Sequence, residues 1–147
     1  MVPESQLQGL NERLEDLEKK VKAKDIVLVQ SNGLYIAGKI PEGAHKETYA
    51  AQGVINYGSA KVINEELGKG RACEGIVVEY KDEKLYVCGA GDAVLVARFD
   101  KTTNIGKYKT KLNSTVMDLG RLIFYDRQKT EQKTADDKAQ KPAEKKD

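Results

Sequence analysis

The chain has 147 residues, of which 33% are charged and 39% hydrophobic, and 25 basic residues nearly balance 23 acidic ones. This length supports one domain with a hydrophobic core and a short tail. The balanced charge argues against a nucleic-acid-binding surface, and no apolar run approaches the length of a membrane span.

The N-terminus and the cysteines predict a cytoplasmic protein. Met1-Val2-Pro3-Glu4 lacks the basic and apolar regions of a signal peptide, and two cysteines fit a reducing compartment. If Tyr80 faces Leu85 across a hairpin, Cys73 and Cys88 lie four strand positions apart. That separation is roughly 13 Å by strand rise, which is too far for a disulfide. We expect both thiols to be reduced and packed.

The first predicted element is an amphipathic helix from about Ser5 to Lys22. Its apolar residues recur at alternating spacings of three and four: Leu7, Leu10, Leu14, Leu17 and Val21. The spacing also permits a coiled coil, but two heptads fall short of the three or four that favour one. We expect this helix to pack on the protein's own sheet.

A β-hairpin is predicted next, with strands Asp25–Gln30 and Leu34–Gly38 joined by Ser31-Asn32-Gly33. Asn-Gly between apolar runs is a strong hairpin signal because both residues tolerate positive φ. His45 follows in a loop, with no second histidine and no clustered cysteine near it in the sequence. A loop or helix-start role for His45 is favoured over a metal ligand or a general base.

The second predicted helix runs from Lys46 to about Leu67 and is ended by Gly68 and Gly70. It carries two apolar stripes. One comprises Ala51, Val54, Ile55, Gly58 and Val62, and the other comprises Ala50, Gly53, Tyr57 and Ala60. Two stripes indicate two covered sides of the helix. Glycine within a helix costs about 1 kcal/mol relative to alanine, which suggests a close backbone approach at Gly53 and Gly58.

Three strands in a meander follow, at Gly75–Tyr80, Leu85–Cys88 and Ala93–Phe99. The loop 81–84 separates the first two strands, and the turn 89–92 separates the last two. The apolar run at the start of the last strand predicts that both of its faces are covered, so we expect it to be central in the sheet.

A third helix is predicted from about Asn104 to Tyr125, with Thr102 or Thr103 as its N-cap. Its buried face comprises Ile105, Tyr108, Leu112, Val116, Leu119 and Ile123. The segment 126–147 carries seven basic and six acidic residues and almost nothing apolar larger than alanine. It is predicted to be a disordered tail after a domain at 1–125.

The sequence contains no pattern typical of a catalytic or cofactor site. The glycine-rich segments 68–73 and 89–92 lead into strands, whereas a phosphate site needs the free N–H groups of a helix N-terminus. Gly106 stands at a helix start without a following Lys-Ser/Thr pair. We therefore predict no enzyme activity, no cofactor and no metal.

The predicted fold class is α+β, in the order α-β-β-α-β-β-β-α, with a five-stranded antiparallel sheet and helices on both faces. Five strands span about 24 Å, and a helix covers about 10 Å. The first and third helices can cover one face, whereas the second helix leaves half of the other face bare. Gly75–Tyr80 has apolar residues on both sides, so a second subunit that covers this surface is the simplest explanation.

This order of elements, with these residues, resembles the Roadblock family, whose fold is profilin-like. The resemblance covers about Leu7 to Ile123. It rests on the segments IVLVQSNGLYIAG, KETYAAQGVINYGSAKVINEELG, GIVVEY and GDAVLVARFDKTTNIGKYKTKL. The most telling part is Gly91-Asp92 before the last strand, together with Asn104-Ile105-Gly106 at the start of the last helix.

The resemblance implies a two-fold homodimer in which the third strands pair into a continuous ten-stranded sheet and the second helices lie side by side. The implied interface comprises Gly75, Ile76, Val77, Val78, Tyr80, Ala50, Gly53, Tyr57 and Ala60. It also implies the function, which is a non-catalytic platform that binds Ras-like small GTPases. No catalytic residue is shared in the family.

Two other functions fit the same layout. Profilin and longin domains share the central sheet, so an adaptor module in a cytoskeletal or vesicle-trafficking complex is one alternative. A small-molecule sensor that binds between sheet and helix is the other. Nucleotide-dependent capture of a GTPase separates the platform from both alternatives.

Overall fold

The computed structural model describes residues 2–68, 70 and 73–125. The predicted tail at 126–147 lies outside the described residues. The helices are α1 (Glu4–Val21), α2 (Lys46–Glu66) and α3 (Lys109–Gly120). The strands are β1 (Asp25–Gln30), β2 (Tyr35–Gly38), β3 (Ile76–Glu79), β4 (Glu83–Ala90) and β5 (Ala93–Asp100). A 3-10 turn at Ile105–Lys107 precedes α3, and a π-helical turn at Arg121–Tyr125 follows it.

The five strands form one antiparallel sheet in the order β2-β1-β5-β4-β3. The predicted α+β class and element order are therefore confirmed. β5 occupies the centre between β1 and β4, and residues 93–97 are buried on both faces. This agrees with the unbroken apolar run that predicted a central strand.

The sheet separates two apolar cores. Along each strand successive side chains alternate between them, so Leu28 and Leu95 face one core while Val27 and Val96 face the other. α1 and α3 cover the first face, mainly with Leu10, Leu14, Leu17, Leu112, Val116 and Leu119. α2 lies alone on the second face, which confirms the predicted distribution of helices.

The start of the last helix differs from the prediction. The Asn104 side chain accepts the N–H of Gly106 at 3.1 Å and caps the 3-10 turn, so the α-helix begins only at Lys109. Thr102 is not the cap because its N–H and hydroxyl both donate to Asp100. The α-helix ends at Gly120 and continues as the π-helical turn.

The register of the β3–β4 hairpin also differs from the prediction. Val78, rather than Tyr80, faces Leu85, because β4 begins at Glu83, whose carbonyl accepts the N–H of Tyr80 at 2.8 Å. Both cysteines are free. Burial raises the pKa of the Cys88 thiol to about 12, so this thiol is not reactive at neutral pH.

The hairpin between β1 and β2 forms where predicted, but only one turn residue uses positive φ. Gly33 has φ +94°, whereas the Asn32 side chain instead accepts the N–H of Leu34 at 3.1 Å. The turn is therefore held by a local side-chain hydrogen bond as well as by the glycine.

The two glycines of α2 have different surroundings. A Cβ added at Gly53 would lie 2.6 Å from Cγ2 of Val96 in the sheet, whereas one at Gly58 would meet nothing within 4 Å. The predicted close approach is confirmed for Gly53, and its neighbour is the protein's own sheet. At Gly58 the structure records no such approach within the described residues.

Gly53→Ala should therefore destabilise the protein. Overpacking against the stiff Val96 side chain costs about 1–3 kcal/mol, which outweighs the gain of about 1 kcal/mol in helix propensity. We expect a melting temperature lower by about 3–5 °C. Gly58→Ala is the matched control and should raise the melting temperature slightly. Equal melting temperatures for the two variants would contradict the close packing at Gly53.

Candidate functional site

The two edges of the sheet differ. α1 lies against the β2 edge, where the Asn11 side chain accepts the N–H of Gly38 at 2.8 Å. At the β3 edge, the N–H of Tyr80 donates to the carbonyl of Glu83 on β4. Because backbone groups alternate in direction along a strand, the N–H and C=O of Val78 also point toward β4. The same alternation turns the backbone groups of Val77 and Glu79 outward. β3 therefore presents backbone donors and acceptors for another strand.

The side chains of β3 alternate as the sequence predicts. Ile76 and Val78 are half-buried and lie on the α2 side, and Ile76 packs against the α2 core. Val77 lies opposite Tyr86 on the α1/α3 side and is 42% exposed. Tyr80, just beyond the strand, is also exposed. Both faces of this edge strand therefore carry incompletely covered apolar area.

One α2 stripe packs against the protein's own sheet. Ala50, Gly53 and Tyr57 are buried, and the Tyr57 hydroxyl donates to the Gly89 carbonyl at 3.1 Å. The family resemblance implies that these three residues contact a second subunit, but the structure places them inside the protomer. Of the four α2 residues in that set, Ala60 remains half-exposed. Helical periodicity identifies the stripe without showing which surface it meets.

The remaining surface of α2, together with its C-cap residue Leu67, carries four exposed large apolar residues. Ile55, Val62, Ile63 and Leu67 are between 55% and 63% exposed. Helix geometry places Ile55 and Val62 on the side turned away from the sheet. It places Ile63 and Leu67, with Ala60, on the flank that carries Tyr49. An exposed apolar surface of this kind is typical of an interaction site.

The Tyr49 flank faces the half of the sheet that α2 leaves bare. The Tyr49 phenol is buried near the Asp25 and Arg98 side chains, and this burial raises its pKa well above its ordinary value. Val78, Leu85 and Tyr80 lie on the same side of the sheet and are half-buried or exposed. This side of the sheet therefore carries partly exposed apolar residues next to charged ones, since Leu85 lies opposite Arg98.

An ion-pair network ties three strands together beneath α2. Arg98 on β5 donates to Oδ2 of Asp25 on β1 at 2.9 and 2.6 Å, and it also donates to Glu83 on β4. Lys24 donates to the same Glu83 carboxylate at 3.0 Å. Asp25 is only 5% exposed, and its hydrogen bonds raise the pKa of Arg98. The network is structural because Arg98 is engaged on both sides.

The described residues do not form a metal centre. Within 2–68, 70 and 73–125, no three His, Cys, Asp or Glu side chains are grouped to hold a metal ion. His45 is exposed just before α2. The turn between β4 and β5 is shorter than the predicted segment 89–92, because Gly89 and Ala90 still pair with β5 and only Gly91 and Asp92 lie between the strands. No described helix is long and apolar enough to cross a membrane.

Solved structures share this fold. Myxococcus xanthus MglB is 22% identical, with a TM-score of 0.70 over 86% of this chain and 95% of that one. The gliding protein MglB from Thermus thermophilus is 25% identical, with a TM-score of 0.66 over 80% of this chain and 91% of that one. A Roadblock/LC7 domain from Streptomyces avermitilis is 17% identical, with a TM-score of 0.68 over 78% and 97%.

Comparison with curated protein sequences gives no match. The family model for the Roadblock/LC7 domain matches residues 10–99, which include most of α1 through most of β5. This match covers more than half of the chain and confirms the resemblance that the hairpin and α2 indicated, whereas Asn104-Ile105-Gly106 lies beyond the matched residues. The chain belongs to the Roadblock/LC7 domain family.

Proposed function

We propose that this protein is a cytoplasmic, non-catalytic homodimer that serves as a platform for a Ras-like small GTPase and regulates or scaffolds it. Membership of the Roadblock/LC7 family supports this role. The observation that carries the proposal is the exposed apolar surface of α2 beside an open β3 edge. Two separate parts of this surface serve two partners.

The first part joins two copies of the chain. Antiparallel pairing of β3 with its symmetry mate uses the outward backbone groups of Val77 and Glu79 and extends the sheet to ten strands. The two α2 helices then run antiparallel with their flanks together. Ile63 and Leu67 of one protomer lie over the bare half of the partner's sheet, which includes Val78 and Tyr80. This arrangement covers the apolar area that one protomer leaves exposed.

The second part is the side of α2 turned away from the sheet, where Ile55 and Val62 stand two helical turns apart. In the dimer, two such ridges lie next to each other on one face. We assign the GTPase to this face. Nothing in the ridge supplies a reacting group, so the protein acts by binding and positioning.

Ile55→Asp/Val62→Asp should remove GTPase binding and leave the dimer intact. We expect the wild type to capture a small GTPase from lysate in a manner that depends on loading with GTP or GDP. The affinity of the purified GTPase for the double variant should fall at least tenfold, because two carboxylates replace the apolar contact. Titration of the labelled GTPase measures this change.

Leu34→Asp is the matched control, since Leu34 is equally exposed but lies at the opposite edge of the sheet. It should leave GTPase affinity within twofold of the wild type. The proposed GTPase face would be rejected if GTPase capture did not depend on the bound nucleotide, or if the double variant bound the GTPase as tightly as the wild type.

A further inference from the structure

The sheet holds the two halves of α2 differently. In the first half, Ala50, Gly53 and Tyr57 are buried. Gly53 packs against Val96 of β5, and the Tyr57 hydroxyl donates to a carbonyl of β4 at 3.1 Å. In the second half, residues 58–67 with the C-cap Leu67 included, every residue is half-buried or exposed. Buried contacts with the sheet therefore end at Tyr57.

This lack of buried contacts is not shared by α1. Val62, Ile63 and Leu67 in the second half of α2 are between 57% and 63% exposed. In α1, by contrast, buried apolar residues continue as far as the last residue of the helix: Leu10, Leu14, Leu17 and Val21. Packing therefore supports the C-terminal end of α1 but not the C-terminal half of α2.

The composition of residues 58–67 does not compensate for the missing packing. Half of these residues are of types with low helix propensity, namely Gly58, Ser59, Val62, Ile63 and Asn64. The last turn carries Glu65 and Glu66 and no basic residue, so its charges oppose the helix dipole. A helix of this length is marginal in water unless packing supports it.

Gly58 stands at the boundary between the two halves, directly after the last buried residue. A Cβ added there would meet nothing within 4 Å, whereas one at Gly53 would lie 2.6 Å from Val96. No close approach within the described residues therefore requires glycine at position 58. Glycine does give the backbone freedom to leave the helical conformation, and it lowers helix stability relative to alanine.

We propose that residues 58–67 open and close independently of the rest of the fold, with Gly58 as the hinge, and that this opening regulates the GTPase face. Only the closed helix holds Val62 two turns from Ile55. The affinity for the GTPase is then reduced in proportion to the fraction of molecules in which the segment is open. The opening is inferred from the single chain, whereas its regulatory role rests on the GTPase face proposed above.

Hydrogen exchange of single backbone amides measures the opening. Val62 and Leu17 are a matched pair, because each stands four residues before the last residue of its helix. In a dilute solution of the full chain, the Val62 amide should exchange at least tenfold faster than the Leu17 amide, after correction for intrinsic rates. Equal rates would mean ordinary fraying of helix ends and would overturn the proposal.

Gly58→Ala should slow exchange at Val62 about fivefold, the factor by which alanine favours helix formation over glycine. Gly9→Ala is the matched control, because Gly9 lies in α1 and a Cβ added there also meets nothing within 4 Å. It should leave exchange at Val62 within twofold of the wild type. If both variants slowed exchange at Val62 equally, the effect would be global and Gly58 would not be a hinge.

Addition of the captured GTPase at saturation tests the regulatory role. Because the GTPase binds only the closed segment, exchange at Val62 should slow at least tenfold, while exchange at Leu17 stays unchanged. A GTPase that binds without slowing exchange at Val62 would refute the regulation. If no GTPase binds but Val62 still exchanges fast, the proposed function fails and the hinge stands. Slow exchange at Val62 in the free chain at every protein concentration overturns the hinge itself.

Discussion

Val77→Pro should convert the protein into a monomer that stays folded. The Val77 N–H points away from β4, so proline removes no hydrogen bond within the protomer, and proline is tolerated on edge strands. In the proposed dimer that N–H is a ladder donor, and the proline ring would obstruct the approaching strand. If the free energy of dimerisation weakens by about 3 kcal/mol, the Kd of the dimer rises at least a hundredfold.

Analytical ultracentrifugation measures the dissociation, and far-UV circular dichroism measures the fold. Val77→Thr is the matched control, because threonine keeps the N–H and the β-branched shape. It should stay dimeric. Val77→Pro should also lose the GTPase, since the proposed GTPase face spans both protomers. A folded Val77→Pro variant whose dimer dissociates at the same concentration as that of the wild type would reject pairing through β3.

Arg98→Met should cause the largest loss of folding stability among single changes in the ion-pair network. It leaves the Asp25 carboxylate, which is only 5% exposed, without its guanidinium partner. Removing one member of a buried ion pair costs about 3–5 kcal/mol, and we expect about 3 kcal/mol because the Arg98 side chain is 21% exposed. The melting temperature should fall by roughly 10 °C.

The double variant Asp25→Leu/Arg98→Met is the informative control. It removes the buried charge together with its partner, so it should be more stable than Arg98→Met alone. Urea denaturation of the wild type and both variants gives the comparison. If the double variant is less stable than Arg98→Met, then the uncompensated charge of Asp25 is not the cause of the loss.

The elements are predictable from the sequence because their signals are local. Leucines at helical spacing define α1, the unbroken apolar run defines β5 as the central strand, and both lie where the structure has them. Asn-Gly locates the first hairpin, and Gly68 with its positive φ ends α2. The limits of the third helix are less accurate, because Thr102, Thr103 and Asn104 are all residue types that cap helices.

Other features depend on contacts between residues far apart in the chain. The two stripes of α2 are visible in the sequence, yet only packing against Val96 and Gly89 shows that Gly53 and Tyr57 face the sheet. The apolar residues that stay exposed, such as Ile63, lie on the other sides of the helix. The periodicity of a helix identifies its faces, but the sheet on which it rests selects the one that is buried.

The pair Asp25–Arg98 joins residues 73 positions apart. In the sequence both belong to an ordinary set of solvated charges, and no spacing rule connects them. The sequence by itself determined which segments become strands and helices, since periodicity and turn residues act within a few positions. The tertiary structure alone decided the β3–β4 register, the inner face of α2 and the buried ion pair, because each depends on which distant backbone lies alongside.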